Sequence, residues 1–325
     1  MNSKTINWGI IGAGKIASKF AEDLNDSESS NLYAIASRNL DKAKDFRLQF
    51  NADVAYGSYQ DLVIDPNIDA IYIATPHSFH KEHTLLCLNN KKPVLCEKPF
   101  AINFEEVNTM ILAAKKSNTL LMEALWTAFL PHFQYVQDLL KKEHFGKIVQ
   151  LEADFGFHPQ YDETSRLFDK SVGGGSLLDI GIYPVFAALS TLGQPNEIEA
   201  DAEFYSSGAD SECHILFHYD TAKAVLKSTF LEETKTEAIW TCEHGTIKIN
   251  SRFHEANSIE LIDKLGNSTT KLFNRNTIGY SYEIEHFNEL IRIGQTESNI
   301  MTFKHSQDLI KILDLIRLEI GLEYK

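Results

Sequence analysis

The chain predicts a two-domain α/β protein, a doubly wound parallel sheet followed by an α+β domain on a largely antiparallel open sheet. Three observations predict it. Short β-branched runs alternate with helical patterns over the first third of the chain. The texture then turns to strands with period-two patterning after about residue 125. The first strand runs directly into the glycine-rich turn Gly9-Ile10-Ile11-Gly12-Ala13-Gly14-Lys15-Ile16-Ala17. The domains are accordingly read as residues 1–124 and 125–325.

Taken in order, the first strand is read at 7–11 and the first helix at 15–24. Strands follow at 32–36, 54–56, 70–74, 94–96 and 120–123. Helices are read at 40–50, 80–89 and 104–118, where apolar side chains recur every three or four residues. In the second domain a helix at 133–142 precedes strands at 148–157, 213–219 and 222–230. The amphipathic last helix, 303–322, is expected to pack back on the body of the protein.

A chain of 325 residues, 43% hydrophobic and 23% charged, is long enough for two domains with cores of their own. Its net charge of −14 with no basic block argues against nucleic acid or an anionic membrane as partner. The opening Met1-Asn2-Ser3-Lys4 leads straight into the first strand, so no signal peptide is expected, and no stretch reads as membrane-spanning. Cys87, Cys96, Cys213 and Cys242 form no Cys-x-x-Cys pair, which suits reduced core thiols in a cytoplasmic protein.

The glycine turn between strand and helix is a dinucleotide fingerprint. Gly12 suits the tight turn, Gly14 lets backbone approach a pyrophosphate, and Ala17 replaces the third glycine where the helix packs. Lys15 and Ile16 open the helix whose amides would face the phosphates. At the end of the second strand, Ser37-Arg38-Asn39 lacks the acid that would bond the ribose hydroxyl of NAD. A hydroxyl and a guanidinium suit a 2′-phosphate instead, so NADP is expected over NAD.

Two further motifs stand at strand ends, where ligands of doubly wound sheets bind. Thr75-Pro76-His77-Ser78-Phe79-His80 follows the fourth strand, and His80 is a candidate beside the nicotinamide or the substrate. His77, His80 and His83 lack a persuasive further ligand, and hydride transfer needs no metal, so none is expected. Glu97-Lys98-Pro99 follows the fifth strand, with Pro99 keeping Lys98 out of helical geometry. A lysine there can bond the cofactor ribose and a substrate oxygen, and its charge lowers the pKa of a neighbouring acid.

These motifs, with Gly173-Gly174-Gly175-Ser176-Leu177-Leu178-Asp179-Ile180-Gly181-Ile182-Tyr183-Pro184, resemble the Gfo/Idh/MocA family of NAD(P)-dependent oxidoreductases. Glu123-Ala124-Leu125-Trp126-Thr127 and Arg166-Leu167-Phe168 resemble its dihydrodiol dehydrogenase branch, which also holds NADP-dependent xylose dehydrogenases. The resemblance implies a Rossmann cofactor domain, a nicotinamide bound between the domains, and a homodimer or higher homo-oligomer through the C-terminal sheet. It also implies that Lys98 is catalytic, with Asp179 and Tyr183 facing it. Ala128 stands where many of this branch carry arginine, which weakens any transfer of substrate preference.

The chemistry is also legible in the residues. Moving a hydride to or from a secondary alcohol needs a group that takes and returns the hydroxyl proton. Tyrosine, with a reference pKa of about 10, does this only with a cation nearby, and Lys98 is the candidate. Asp179 and Tyr183 share a face if the segment is helical. Pro184 disfavours helix at Tyr183, so a break or kink is expected there. Thr75, Pro76, His77 and Glu97 join the glycines, Lys15, Ile16, Ser37, Arg38 and Lys98 as candidate cofactor contacts, and Trp126, Phe157 and Arg166 as candidate substrate contacts. The expected activity is an NADP-dependent oxidoreductase acting on a small polyhydroxylated ring, an aldose, anhydro sugar or trans-dihydrodiol. An NAD-dependent glycosidase of the same fold and a nucleotide-sensing regulator are the alternatives.

Overall fold

A computed structural model describes residues 4–324 of the chain. Met1 to Ser3, where the reading of a missing signal peptide begins, lie outside the described residues, as does Lys325. Two compact units emerge, one comprising Met1–Trp126 with Arg275–Gln307 and the other Thr127–Asn274 with Asp308–Lys325.

In the first unit the chain alternates strand and helix: β1 (Ile6–Ile11), α1 (Lys15–Asn25), β2 (Ser30–Ala36), α2 (Leu40–Phe50), β3 (Val54–Tyr56), α3 (Tyr59–Ile64), β4 (Ala70–Ile73), α4 (His80–Asn89), β5 (Val94–Glu97), α5 (Phe104–Ser117) and β6 (Leu121–Ala124). The strands are parallel in the order β3-β2-β1-β4-β5-β6. Every residue of β4, β5 and β6 is buried, so these strands read as near-continuous apolar runs, broken by Glu97 and Glu123, rather than alternating ones. Asparagine and serine side chains start the helices. Asn39 accepts from the amides of Asp41 and Lys42 at α2, Ser58 from Asp61 at α3, and Asn103 from Glu106 at α5. The six-residue α3 is too short to show helical periodicity and is absent from the sequence reading.

The second unit opens with α6 (Pro131–Lys141) and β7 (Ile148–Gly156), passes through a π turn (Leu177–Gly181) into α7 (Ile182–Leu192), and continues as β8 (Glu197–Phe204), β9 (Asp210–His218), β10 (Lys223–Thr229), β11 (Ala238–Cys242), β12 (Gly245–Ile249), β13 (Ser258–Asp263) and β14 (Ser268–Leu272). These eight strands pair as β14-β13-β12-β11-β7-β10-β9-β8, with β7–β10 parallel and every other pairing antiparallel. Alternate residues of β9 and β10 are buried, and α7 packs on β7 and β10. The last helices are α8 (Ser281–Arg292) and α9 (Phe303–Glu319).

Two expectations need correcting. The sequence reading placed everything after residue 124 in the second domain, but α8 belongs to the first unit. There the Asp23 carboxylate accepts from the amides of Ile278, Gly279 and Ser281, and Trp8 Nε1 donates to Asn288 Oδ1 at 3.1 Å. The run Lys170–Leu192, with a mean hydropathy of 1.5 over its most apolar window, is also long and apolar enough by length and composition to cross a membrane. Its window is 94% buried inside the protein, as befits a core helix apolar on all sides. The four cysteines are buried and form no disulfide.

Candidate active site

The strand order reverses its direction of growth between β1 and β4, which makes the carboxyl ends of those strands the switch point of the sheet. Gly12 lies there with φ +101°, and its amide donates to the Ala36 carbonyl at 3.0 Å. A Cβ at Gly12 would sit 2.8 Å from the Ala74 carbonyl oxygen, so only glycine fits between these two strand ends. Gly14 then begins α1 with extended backbone, no side-chain cap and no acid in the first turn. Nothing stands within 4 Å of where its side chain would be. Such a helix start, Lys15 and Ile16 included, offers amide donors and a positive dipole end to an anion, and Ala17 packs fully buried behind it. The cradle fits a dinucleotide pyrophosphate.

Ser37 and Arg38 continue this edge from β2. Ser37 is buried, its hydroxyl accepting from the Asn39 amide at 3.3 Å, while Arg38 is exposed with its guanidinium carbon 5.5 Å from the centre of the Phe79 ring. Burial raises the Tyr59 phenol, while the charge and hydrogen bonds of Arg38 pull it down. His83 stacks on Phe79 and is driven to about 4, first by burial and then by Arg38, so it is neutral and exchanges a hydrogen bond with Thr75 Oγ1 at 3.0 Å. Arg38 is thus lodged among two aromatic rings and a neutral imidazole.

Thr75, Pro76 and His77 follow β4 on the same edge, and His77 opens a short 3₁₀ turn. His80 is fully buried. Its Nδ1 lies 2.9 Å from the Pro99 carbonyl and its Nε2 2.8 Å from the Thr75 carbonyl, so the ring ties the two motif loops together. Both ring nitrogens of this candidate for the place beside the nicotinamide or the substrate are engaged by backbone carbonyls. Glu97 ends β5, accepting from the Lys98 amide at 3.1 Å and from the Tyr72 hydroxyl. Burial keeps that phenol far above its ordinary value, so it stays a donor. Lys98 precedes a cis peptide bond to Pro99. Trp126 stacks on Tyr280 at 4.6 Å.

In the second unit Arg166 donates from both terminal nitrogens to Asp179 Oδ1, at 3.2 and 3.3 Å. Tyr183 is buried with its ring 5.7 Å from Phe155 and 5.0 Å from His254, which themselves stack at 4.3 Å. Phe157 packs edge-on to Phe230 at 5.1 Å. The break or kink expected at Pro184 takes the form of the π turn Leu177–Gly181, separated from the proline by Ile182 and Tyr183, and the helix continues. The proline ring would strike the Ile180 carbonyl in a regular helix, and a widened turn relieves the clash without ending the element.

Residues absent from the sequence reading matter here. His254, Tyr72 and Tyr280 sit in no motif, and no spacing could have singled them out. Among the described residues no group of three or more His, Cys, Asp or Glu is arranged to hold a metal ion.

Residues 6–125 match the oxidoreductase family with an NAD-binding Rossmann fold named for Gfo, Idh and MocA, and residues 133–248 match that family's C-terminal domain. A trans-1,2-dihydrobenzene-1,2-diol dehydrogenase of Xenopus tropicalis is 36% identical over 98% of both chains. The chain belongs to the Gfo/Idh/MocA family. It is an enzyme, an NAD(P)-dependent oxidoreductase. An NADP(+) scyllo-inositol 2-dehydrogenase of Bacillus subtilis is 33% identical, again over 98% of both chains. A 3-ketoreductase from Actinomadura kijaniata, solved with NADP and TDP-benzene, superposes with a TM-score of 0.88 at 24% identity over 98% of both chains, which shows the shared fold. The doubly wound sheet and the largely antiparallel second sheet are those of this family.

Proposed function

We propose that this enzyme uses NADP and moves a hydride between the nicotinamide and a secondary hydroxyl of a small polyhydroxylated ring. One observation carries the cofactor reading: Arg38 stands at the end of β2 where an NAD-binding chain would have an acid, supported by Phe79. The inositol dehydrogenase relative, named for NADP, and the dihydrodiol dehydrogenase, named for a cyclic diol, agree with the two halves of this reading.

When bound, the nicotinamide accepts or delivers the hydride. The protein supplies the rest. The amino end of α1 holds the pyrophosphate, and Arg38 and Ser37 hold the 2′-phosphate. Tyr183 takes the hydroxyl proton as the alcohol is oxidised and returns it in the reverse direction. Lys98 supplies a cation for the substrate oxygen, where its charge favours loss of the hydroxyl proton. Asp179, fixed by Arg166, accepts from a neighbouring hydroxyl and orients the ring.

The test is a screen of scyllo-inositol, trans-1,2-dihydrobenzene-1,2-diol, aldoses and anhydro sugars with each cofactor, read by absorbance of the reduced nicotinamide. Reduced cofactor should form in proportion to ketone or lactone product, and faster with NADP. Hydrolysis of a glycoside without net reduced cofactor would instead establish the glycosidase activity.

A further inference from the structure

Asp210, the first residue of β9, is a fully buried acid that belongs to no motif of the chain. Its Oδ2 accepts from the Leu177 amide at 2.6 Å and from the Ser176 hydroxyl at 2.8 Å. Ser176 Oγ also lies 3.0 Å from Ser228 Oγ on β10, a strand that packs against the π turn. The carboxylate thus meets the first donors of the helical run that carries Asp179 and Tyr183. It approaches so closely that a Cβ on Gly175, whose φ is +126°, would fall 2.0 Å from Asp210 Oδ1. This contact accounts for Gly175, the last of the glycine run, while a Cβ on Gly174 would instead meet the Arg166 carbonyl at 2.5 Å. The other side of the run is held by the Tyr324 hydroxyl, which donates to the Gly174 carbonyl at 3.0 Å.

An ordinary helix start takes its cap from its own flanking serine or aspartate, which ties it to no other element. Here Ser176 donates rather than caps, and the acceptor comes from a strand 33 residues further along the chain. Such a link fixes the helix to the sheet in register. A π turn is a register error stored in a helix, and it persists only where the surroundings hold both of its sides. Burial raises the Asp210 carboxyl to about 6, and the Leu177 amide and Ser176 hydroxyl oppose that rise. An acid with this cost is replaceable by a neutral cap if stability alone is served.

We infer that Asp210 is a positioning residue of the reaction, locking the start of the π-turn helix to the sheet so that Asp179 and Tyr183 keep their phase. The inference rests on the proposed role of Tyr183. A misplacement of about 1 Å in a reacting group lowers rate by roughly a hundredfold, so the lock bears on kcat.

The experiment compares Asp210→Ala, Asp210→Asn, Ser176→Ala and Tyr183→Phe in the full chain, with NADP and the best-used alcohol of the screen above. Asp210→Ala should lower kcat by about tenfold or more, more than it raises KM, with NADP affinity unchanged, and speed amide hydrogen exchange across residues 175–183. Asp210→Asn, which keeps an acceptor for the Leu177 amide, should restore most of both. Ser176→Ala removes one of the two donors and leaves the acid in place, and should show a smaller loss of the same kind even if Asp210→Ala does not fold. Wild-type kcat or wild-type exchange in whichever of these two variants folds overturns the positioning role. Wild-type kcat in Tyr183→Phe overturns the proton-transfer reading itself, and the positioning role falls with it.

Discussion

At the scale of single residues, the cofactor reading turns on Arg38. An exposed guanidinium usually contributes little, but this one is lodged against Phe79 and beside Tyr59, which reduces the freedom it loses on meeting a phosphate. Arg38→Ala should weaken NADP by roughly 10- to 150-fold, the equivalent of about 1.5–3 kcal/mol for a hydrogen bond to a charged group, and leave NAD nearly untouched. Fluorescence titration with both reduced cofactors checks this, and equal losses would remove Arg38 from cofactor choice. Lys98→Met should impair turnover more than NADPH binding if its ammonium serves the reacting oxygen as proposed; initial rates set beside the same titration separate the two. Tyr183→Phe keeps the ring against Phe155 and His254 but deletes the proposed proton carrier, so turnover should drop by about 10²–10⁴ with the fold intact. A fall of less than about tenfold would make Tyr183 a packing residue. Arg38, Lys98, Asp179 and Tyr183 were all legible as candidates because each sits in or beside a motif. His254 was not, since its place against Phe155 and Tyr183 comes from pairing between distant strands and loops.

Among elements, the amino end of α1 and the helix after the glycine run show how far pattern reading reaches. The former was readable because strand, turn and helix are consecutive, and the turn residue is dictated locally by Gly12 at φ +101°. Gly12→Ala places a Cβ against the Ala74 carbonyl and a side chain in a left-handed conformation, for a cost of about 1–3 kcal/mol. The expected outcome is a lower melting temperature together with loss of NADP binding, and calorimetry of the unliganded variant separates the two effects. The second helix was only half legible. Pro184 announced an irregularity, but a kink, a break and a π turn are alike in sequence, and the choice among them was made by Asp210, Ser228 and the sheet beneath. The short α3 and the placement of α8 were lost for the same reason, one having too few residues for a period and the other being fixed by Asp23 and Trp8 from far along the chain.

Across the molecule, a net charge of −14 conceals acids that are held protonated. Glu123 ends the interior of the parallel sheet fully buried, raised to about 7 chiefly by burial, although the Phe100 amide bonds one of its oxygens at 3.0 Å. Glu283, fully buried, is likewise raised well above its ordinary value, first by burial and then by the charges of Glu97 and Asp23. For such groups the folded state holds the proton more tightly than the unfolded chain. The contribution of Glu123 to stability is therefore full below the unfolded value near 4.5 and is lost as pH rises through about 7. Relative to Glu123→Gln, the wild type should lose on the order of 3 kcal/mol of stability between pH 5 and pH 8, measured by urea unfolding of both proteins at each pH. A constant difference would mean that Glu123 is ionised throughout. The sequence by itself determined what depends on neighbours along the chain: the alternation that makes a doubly wound sheet, the glycine turn, the strand-end motifs and the family. Tertiary structure alone decided the widened turn before Tyr183, the lodging of Arg38 on Phe79, the engagement of both His80 nitrogens by backbone and the burial of Asp210 and Glu123. Each of these is a contact between residues from separate elements, and hydrophobic burial sets such contacts through the packing of the whole unit, which no local period or spacing encodes.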